Sequence, residues 1–384
     1  MVPEEWAVVE AHEICESIFV GVVIKPSQYY VEEKIGVKAF RSANVREGFI
    51  NDSDWVYFSQ EGHQANKKSH LKTGDVLIVR TGYPGTACVV TAEFEGANAI
   101  DIVIARPNKS MVVPEYLCAY TNSSVGKSQV LNLQGGMAQK HLNVGAYQTL
   151  KVKLPSLREQ SKIVKIISTW EKAITLTENL LLASEKQKKA VMQQLISGRK
   201  RVLGAHEKWK FIKFNEAFRV VNKKSTQIKS NEYMETGNIP IVDQGKKLIS
   251  GYCNSKVAYE DVPVIVFGDH TRCLKWVDFK FCPGADGTQV LTTTDSLDKK
   301  YGYYILCYTE IPNLGYSRHM RELKEKEFNV PSDIDEQKKI VVILTAIDQG
   351  IEILRQKIIF LKQEKKALMQ QLLTGKRRVK TEVA

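Results

Sequence analysis

The sequence lacks the features of membrane, secreted and zinc-ribbon proteins. No apolar run approaches transmembrane length, and the opening Met-Val-Pro-Glu-Glu-Trp supplies neither the basic start nor the apolar core of a signal peptide. No CxxC pair is present and the number of cysteines is odd, so reduced thiols packed as small hydrophobic side chains are expected. These absences favour a cytoplasmic protein without membrane contact. The seven cysteines are Cys15, Cys88, Cys118, Cys253, Cys273, Cys282 and Cys307.

Acidic residues are scarce in only two stretches. Residues 155–202 carry 10 basic and 4 acidic side chains, and residues 331–380 carry 11 and 6, whereas 1–154 and 203–330 are nearly balanced. These two stretches therefore hold almost the whole net charge of +12. A basic excess suggests a polyanionic partner, although a solvated helix surface explains the same lysines equally well.

The two basic stretches are also one sequence unit written twice. From Glu159-Gln160 to Arg201-Val202 the second copy follows the first at a constant offset of 177 residues, without a gap. KAVMQQL at 189–195 recurs as KALMQQL at 366–372, and GRKRV at 198–202 recurs as GKRRV at 375–379. An internal repeat of this length predicts a duplicated architecture.

Each copy carries the start and stop signals of one long helix. A capping-box pair precedes the apolar pattern, a glycine able to adopt a positive φ follows it, and basic residues come next. Between the signals of the first copy lie residues 157–197, which predict a rod of about 60 Å at ~1.5 Å per residue. The capping pairs are Ser156 with Glu159 and Asp333 with Glu336, and the closing glycines are Gly198 and Gly375.

Apolar residues in both copies alternate steps of three and four, which is typical of a coiled-coil seam. A lysine interrupts each seam at the equivalent place, Lys188 and Lys365. Because a sizeable domain separates the copies, we expect the two stripes to be buried against each other in antiparallel orientation. The predicted seam residues are Ile163, Ile167, Trp170, Ile174, Leu181, Val191 and Leu195, and then Ile340, Leu344, Ile347, Ile351, Leu354, Ile358, Leu361, Leu368 and Leu372.

The remaining parts, 1–154 and 203–330, are more distant copies of one another. Each opens on a tryptophan, Trp6 or Trp209, and each contains an apolar strand that runs into a glycine turn, at 75–85 and 262–270. Further strands are predicted at 86–92, 99–105, 239–243 and 274–279, and short helices at 114–121 and 298–309. Similar helices that alternate with dissimilar globular parts are the pattern expected of a conserved spacer that carries two domains with different recognition properties.

At this point the chain resembles the DNA-specificity subunits of type I restriction-modification systems. The resemblance rests on the order of a Trp-initiated domain, Leu154-Pro155 before Glu159-Gln160, a second such domain, and Val330-Pro331 before Glu336-Gln337. It implies an α+β protein in which two similar mixed α/β target-recognition domains are separated by two long antiparallel coiled-coil helices in a pseudo-two-fold repeat. The expected divisions are 1–154, target-recognition domain 1; 155–202, long helix 1; 203–330, target-recognition domain 2; and 331–384, long helix 2 with a basic tail.

The same resemblance implies partners and cofactors. Each domain would read half of a bipartite double-stranded DNA site, and the helices would dock two methyltransferase subunits and the restriction subunits. The chain itself would hold no cofactor and no metal, with S-adenosylmethionine, ATP and Mg expected on the partner subunits. Consistent with a non-catalytic role, the chain has no Pro-Pro pair, which the Asn/Asp-Pro-Pro-aromatic loop of adenine methyltransferases requires.

Alternative chemistries have weaker support. A metal-dependent nuclease could use Asp269 with Asp278 and Lys280, although a charged strand edge explains these residues as well. A zinc site could use His270, Cys273 and Cys282, with Cys253 as a fourth ligand, but their spacing fits no paired-ligand pattern. Residues 126–128, Gly-Lys-Ser, resemble the end of a phosphate-binding loop, but the preceding segment favours a helix rather than a strand. A protein-only scaffold is the remaining alternative.

Base readout needs donors and acceptors on rigid loops, and phosphate contacts need cations and hydroxyl groups. For each candidate an ordinary solvated side chain is as plausible as a DNA contact. In the first domain the candidates are Lys25, Gln28, Tyr29, Tyr30, Arg41, Arg80, Tyr83, Gln139, Lys140 and His141. In the second they are Lys223, Lys224, Gln244, Lys246, Lys247, Tyr252, His270, Arg272, Tyr316, Arg318 and His319.

Overall fold

A computed structural model describes residues 3–133, 141–315 and 317–379. The chain divides into two compact units, one of Met1–Thr177 with Lys357–Ala384 (unit 1) and one of Glu178–Gln356 (unit 2). Each of the two long helices therefore contributes one half to each unit. No helix among the described residues has both the length and the apolarity to cross a bilayer.

Unit 1 contains three main sheets. A two-stranded sheet pairs β1 with β12, one four-stranded sheet has the order β10-β4-β7-β3, and the other has the order β2-β11-β8-β9. Strand β8 is buried along its whole length, as its uninterrupted apolar sequence predicts. The strands are β1 (Ala7–Glu10), β2 (Cys15–Val20), β3 (Tyr30–Val31), β4 (Val37–Phe40), β5 (Val45–Arg46), β6 (Phe49–Ile50), β7 (Val56–Phe58), β8 (Val76–Val79), β9 (Ala87–Val89), β10 (Asn98–Ala99), β11 (Ile102–Pro107) and β12 (Lys151–Leu154).

The helices of unit 1 complete its main core. Buried residues of the sheet β2-β11-β8-β9 pack with Tyr116 and Leu117, and the same cluster includes Ile163, Ile167 and Leu372 from the long helices. The ends of the long helices are thus part of a globular core. The helices that begin in unit 1 are α1 (Gln60–Ala65), α2 (Pro114–Asn122), α3 (Ser124–Asn132), α4 (Val144–Gln148) and α5 (Leu157–Ile196).

Unit 2 repeats this plan with fewer strands. It has a two-stranded sheet β13-β21, a four-stranded sheet β14-β20-β17-β18, and a three-stranded sheet β16-β15-β19. The parallel pair β15-β19 matches β4-β10 of unit 1, and all other pairs of these sheets are antiparallel in both units. The strands are β13 (Trp209–Lys213), β14 (Phe218–Val220), β15 (Ile239–Val242), β16 (Gly251–Cys253), β17 (Val264–Gly268), β18 (Leu274–Val277), β19 (Cys282–Pro283), β20 (Thr288–Thr293) and β21 (Glu327–Pro331).

The main core of unit 2 also includes the long helices. Tyr301, Tyr304 and Ile305 pack on the four-stranded sheet together with Leu195 and Ile340. The remaining helices are α6 (Phe214–Ala217), α7 (Lys299–Tyr308), α8 (Met320–Lys324) and α9 (Ile334–Leu373). The strands predicted mid-domain and the helices predicted at 114–121 and 298–309 are confirmed to within a few residues. The α+β class and the duplicated domain are confirmed as well.

Both long helices have 40 residues and end as predicted, because Gly198 and Gly375 adopt φ values of 73° and 75°. At the start of α5, the Ser156 hydroxyl accepts the Glu159 N–H at 3.3 Å, as a capping residue should. A capping box also predicts that the glutamate carboxylate accepts the backbone N–H of the N-cap residue. This second prediction is wrong in both copies. The carboxylates of Glu159 and Glu336 instead accept arginine N–H groups from the other long repeat, because a buried carboxylate needs a cationic partner.

The predicted seam lies on the shielded side of both helices. Within unit 1 the start of α5 packs with the end of α9, and within unit 2 the end of α5 packs with the start of α9, so each pairing is antiparallel. Leu354 is half-buried rather than buried, because away from the globular cores two helices alone leave the edges of their seam in contact with water. Buried seam residues are Ile163, Ile167, Ile174, Leu195, Ile340, Leu344, Ile351, Ile358 and Leu372; half-buried ones are Trp170, Leu181, Val191, Ile347, Leu354, Leu361 and Leu368.

Candidate nucleic-acid interface

In unit 1, the residue that follows the buried strand β8 organises the nearby loops. Arg80 is 9% exposed, and its guanidinium pairs with Asp101, donates to the Leu142 carbonyl oxygen at 3.1 Å, and contacts Nε2 of His141. Because a guanidinium only donates, His141 Nε2 must accept, which leaves the ring proton on Nδ1 to bond Thr81 Oγ1 at 3.1 Å. Arg80 therefore ties together the turn after β8, the turn before β11 and the segment at 141–142.

The turn after β8 presents one aromatic side chain to solvent. Tyr83 is 83% exposed, and the flanking Gly82 and Gly85 adopt positive φ values of 88° and 83°. A tyrosine in this setting offers a ring for stacking and a hydroxyl for hydrogen bonding. Of the predicted group in unit 1, His141 is half-buried beside Arg80, whereas Gln139 and Lys140 lie outside the described residues.

The other unit 1 candidates occupy two neighbouring segments. Lys25 has a left-handed backbone (φ 42°) and is exposed, as is Gln28, whereas Tyr29 is half-buried and its ring packs 5.6 Å from that of Phe58. Tyr30 is 40% exposed. Arg41, which follows β4, pairs with Asp54 at 3.0 Å and donates to its carbonyl oxygen at 2.6 Å. Arg41 and Arg80 thus have intramolecular partners, and their prediction as DNA contacts stays untested.

In unit 2, the residue after the equivalent strand β17 is acidic. Asp269 is 4% exposed; its carboxylate accepts the Met320 N–H at 2.7 Å, and its carbonyl oxygen accepts the His319 N–H at 2.8 Å. Nδ1 of His319, a fully buried residue, donates to the same carbonyl, and its Nε2 accepts the Leu314 N–H at 3.3 Å. His319 therefore joins Leu314 to the turn after β17 from within. Its placement excludes direct contact with a ligand in this conformation.

The turn after β17 packs on the loop that follows β15. The Gln244 amide oxygen accepts the His270 N–H at 3.2 Å, and its carbonyl oxygen accepts the Thr271 hydroxyl. His270 Nδ1 donates to the Ser317 carbonyl oxygen at 3.2 Å. Gly287 closes the group: a Cβ there would meet the Gln244 oxygen at 2.6 Å and the His270 ring at 2.7 Å. Four segments therefore meet at this end of the unit 2 sheets: the turn after β17, the loop after β15, the turn before β20, and the segment that carries Ser317.

Asp243, which follows β15, holds that loop by charge. It accepts the Gly245 N–H at 2.8 Å and the Ser250 hydroxyl, and lies 3.5 Å from the buried ammonium of Lys275, which also donates to the Asp243 carbonyl oxygen at 2.7 Å. Burial opposes ionisation of Asp243, but the hydrogen bonds and the Lys275 charge outweigh it and lower the Asp243 pKa. Burial lowers the pKa of Lys275. The loop then presents the next two lysines, Lys246 and Lys247, to solvent.

The remaining unit 2 candidates are dispersed. Arg272 has φ 59° and donates to the Ile311 carbonyl oxygen at 2.9 Å beside a cleft of about 780 Å³, and Arg318 is exposed. Lys223 pairs with Asp261, whose hydrogen bond raises the Lys223 pKa. Lys224 is exposed and Tyr252 half-buried, in segments other than the turn after β17, and Tyr316 lies outside the described residues.

The alternative sites are not assembled. Cys253 and Cys282 lie on β16 and β19, the two strands that flank β15, and share a small apolar cluster with Ile239 and Ile241. Among residues 3–133, 141–315 and 317–379 no three metal-binding side chains are grouped. Lys127 lies inside α3 and pairs with Glu47, so residues 126–128 form no phosphate-binding loop after a strand. The carboxylate of Asp269 is buried and bonded to the Met320 backbone.

Sequence reasoning missed the partners that fix these loops, namely Asp54, Thr81, Asp101, Asp243 and Lys275. One signal could have found Asp243, because a charged residue directly after a buried strand must be paired. Asp101 has φ 50°, which brings its carboxylate to Arg80, and no local sequence pattern announces this.

Known proteins resemble the chain along its whole length. The family model described as "Type I restriction modification DNA specificity domain" matches residues 3–184 and 206–363. The chain belongs to this family of specificity subunits. The putative type I restriction enzyme MjaX specificity subunit of Methanocaldococcus jannaschii is 26% identical, with 99% of this chain and 95% of the relative covered.

Solved structures share the fold of this specificity subunit. The type I S subunit from M. genitalium matches with a TM-score of 0.62 at 13% identity, covering 96% of each chain. A chain from a study of complex assembly and conformational transition of a type I system matches with a TM-score of 0.61 at 17% identity, covering 98% of this chain and all of that one. At these identities the likeness concerns the fold alone.

Proposed function

We propose that this specificity subunit reads a bipartite, asymmetric DNA site, with the loop end of each unit reading one half. The observation that carries the proposal is that the same strand framework ends in different side chains. Arg41 and Arg80 follow β4 and β8 in unit 1, and Asp243 and Asp269 follow the matching strands in unit 2. Loops held by opposite charges present different donors and acceptors, so the two half-sites differ in sequence.

At the loop end of each unit we expect two kinds of DNA contact, one to phosphates and one to base edges. The exposed cations Lys25, Lys246, Lys247 and Arg318 suit phosphates, which set register, and Tyr83 and His270 stand on held turns suited to base edges. Because phosphate contacts displace counterions, binding by this surface should weaken steeply as salt rises.

The long helices supply the partner surfaces in this proposal. Each unit exposes large apolar side chains on its helix halves, among them Leu176 and Phe360 in unit 1 and Val342 and Ile353 in unit 2. Contiguous apolar patches that face water mark protein interfaces, and these side chains would contribute to such patches. Two methyltransferase subunits would dock, one for each copy of the repeat, together with restriction subunits. S-adenosylmethionine, ATP and Mg would bind to those partners, and the chain would be non-catalytic.

The test is a domain exchange read by methylation mapping. The complex with its methyltransferases should modify a site whose halves lie about one helical turn, roughly 10 bp, apart. Replacing residues 203–330 by the matching domain of a relative should change one half-site and leave the other and the spacer unchanged. A continuous or palindromic motif, or a change in both halves, would overturn the proposal.

Experiments on the purified chain and on its complex with methyltransferases distinguish the proposed function from the alternative functions. Cleavage of DNA by the purified chain with Mg²⁺, lost in Asp278→Asn, would indicate a nuclease. Absence of salt-sensitive DNA affinity in the assembled complex would indicate a protein-only scaffold. A mass of the saturated complex that fits one methyltransferase per chain would contradict the two docking surfaces.

A further inference from the structure

One buried amide connects the first globular part to its helix. Gln160, in the first turn of α5, is fully buried. Its Oε1 accepts the Val113 N–H at 2.8 Å, and its Nε2 donates to the carbonyl oxygens of Met111 at 3.1 Å and Pro155 at 2.8 Å. Val113 is the residue on which α2 begins. A single side chain therefore holds the loop before α2, the linker after β12 and the helix itself.

The second copy repeats the arrangement without repeating its surroundings. Gln337 is also fully buried; its Oε1 accepts the Asp298 N–H at 2.8 Å, and its Nε2 donates to the carbonyl oxygens of Ser296 at 3.2 Å and Pro331 at 3.0 Å. Asp298 is the residue on which α7 begins. All six partner atoms at the two junctions belong to the backbone, so the bonds do not depend on which side chains the domain carries, except that proline at position 113 or 298 would remove a donor.

An amide with both N–H groups and its oxygen engaged has one orientation. A buried group of this kind costs free energy when any bond is lost, so the three segments it joins move as one body. The apolar contacts around it lack this directionality, because hydrophobic burial is non-directional and constrains area more than angle.

We infer that Gln160 and Gln337 are positioning residues that fix the angle at which each domain leaves its helix, and through that angle the spacer length between half-sites. This inference rests on the proposed bipartite reading. The domain itself would still recognise its half-site when the amide is removed, because the loop ends around Arg80 and Asp269 involve none of the atoms that the amide holds.

The experiment uses the full chain in complex with its methyltransferases and a set of DNA sites whose halves are separated by the natural spacer or by one base pair more or less. Gln160→Met and Gln337→Met keep the side-chain length and remove the amide. The matched control is Asn122→Leu. Asn122 accepts the Ala87 N–H at 2.9 Å and donates to the Ala87 carbonyl oxygen at 2.8 Å, entirely inside the domain.

For the wild type we expect methylation to favour the natural spacer by about tenfold or more, because misplacement by an ångström costs this much or more in rate. Each glutamine variant should lose most of that preference while still requiring both half-site sequences, and Asn122→Leu should lower the melting temperature and keep the preference. An unchanged spacer preference in both glutamine variants would overturn the inference, as would their failure to fold when Asn122→Leu folds. A wild type without a bipartite site would refute the proposed function instead.

Discussion

The two units share a framework of strands, but the residues that follow two of the matching strands carry opposite charges. After β4 and β8, unit 1 places Arg41 and Arg80, whereas unit 2 places Asp243 and Asp269 after the strands in matching positions. In both units the carbonyl oxygen of the residue after the central strand accepts an N–H from the segment leading to the last short helix, at 3.0 Å from Leu142 and 2.8 Å from His319. The backbone bond is kept and the side chain is free to vary, which would allow the two units to recognise different half-sites, as proposed above.

The two places where a long helix joins its domain show the opposite pattern. Their side chains are the same in both units, and their hydrogen bonds differ slightly. We call Glu159 with Arg378, and Glu336 with Arg201, the clasps. The Glu159 carboxylate accepts two N–H groups from Arg378, at 2.7 and 2.9 Å, and Nε1 of Trp6 at 3.1 Å. The Glu336 carboxylate accepts two from Arg201, at 2.6 and 2.7 Å, while Nε1 of Trp209 has no hydrogen-bond partner among residues 3–133, 141–315 and 317–379.

The largest expected effect follows from this difference. Arg201→Met leaves the Glu336 carboxylate, 1% exposed as a side chain, without its donor, at a cost on the order of 3 kcal/mol in the free energy of unfolding. Arg378→Met should cost less, because Glu159 keeps the Trp6 N–H. Urea unfolding of the two variants, followed by circular dichroism, checks the order.

The control for the clasp comparison neutralises both partners. Arg201→Met with Glu336→Gln should recover much of the lost stability, because no unpaired charge is then buried. Equal losses in the two single variants would contradict the expected order, in which the Trp6 N–H protects Glu159 when Arg378 is removed. A double variant as unstable as Arg201→Met would show that lost packing, rather than the stranded charge, is responsible.

The long helices were predictable because their signals are local. The three-and-four spacing, Ser156, Gly198 and Gly375 each act within a turn or two of their own position, so the sequence reports them directly. The clasps were not predictable in this way. Glu159 and Arg378 stand 219 residues apart, and the Ser-x-x-Glu spacing pointed to a local bond that the carboxylate does not make. A pattern that fits a local motif can thus conceal a tertiary contact.

The positions of the loop ends along the chain were predictable, but the contacts that their side chains make were not. The glycine turn after β8 and the turn after β17 lie where the apolar runs end, as expected. The structure nevertheless turns Arg80 inward, because Asp101 and the Leu142 carbonyl oxygen offer it partners that no spacing rule encodes. His319 is buried for a similar reason, since its ring completes bonds to Asp269 and Leu314.

A smaller effect is expected at Asp243, the acidic counterpart of Arg41. Because the Asp243 pKa is lowered from 3.8 in the folded state, its ionised form stabilises unit 2 at any pH above that value, and the contribution is lost as the pH falls through the lowered pKa. Asp243→Asn should therefore cost on the order of 1 kcal/mol at neutral pH. The difference from wild type should stay constant from about pH 5 to 8 and shrink below about pH 4.

Thermal unfolding as a function of pH measures this difference. Asp261→Asn is the matched control, because Asp261 is an exposed carboxylate paired with Lys223 and its loss should leave the curve near that of wild type. A difference between wild type and Asp243→Asn that grows as the pH falls would reverse the sign of the argument and refute it.

The smallest effect on stability and the most direct test of the loop ends concern two pairs of neighbouring lysines. Lys246 and Lys247 are exposed on the loop that Asp243 holds, and Lys67 and Lys68 are exposed beside His70, whose carbonyl oxygen bonds Arg106 near the far end of β11. Alanine at either pair should change the free energy of unfolding by less than about 0.5 kcal/mol, because exposed side chains away from special features contribute little.

If the loop ends face DNA, Lys246→Ala with Lys247→Ala should weaken binding by the assembled complex equally for specific and unrelated duplexes. The same change should reduce the slope of log affinity against log salt by up to about 1.8, the release expected from two phosphates. Fluorescence anisotropy over a salt series measures both quantities, and Lys67→Ala with Lys68→Ala should leave them unchanged. Equal losses from the two pairs would mean that the DNA responds to net charge and not to this end of the sheets.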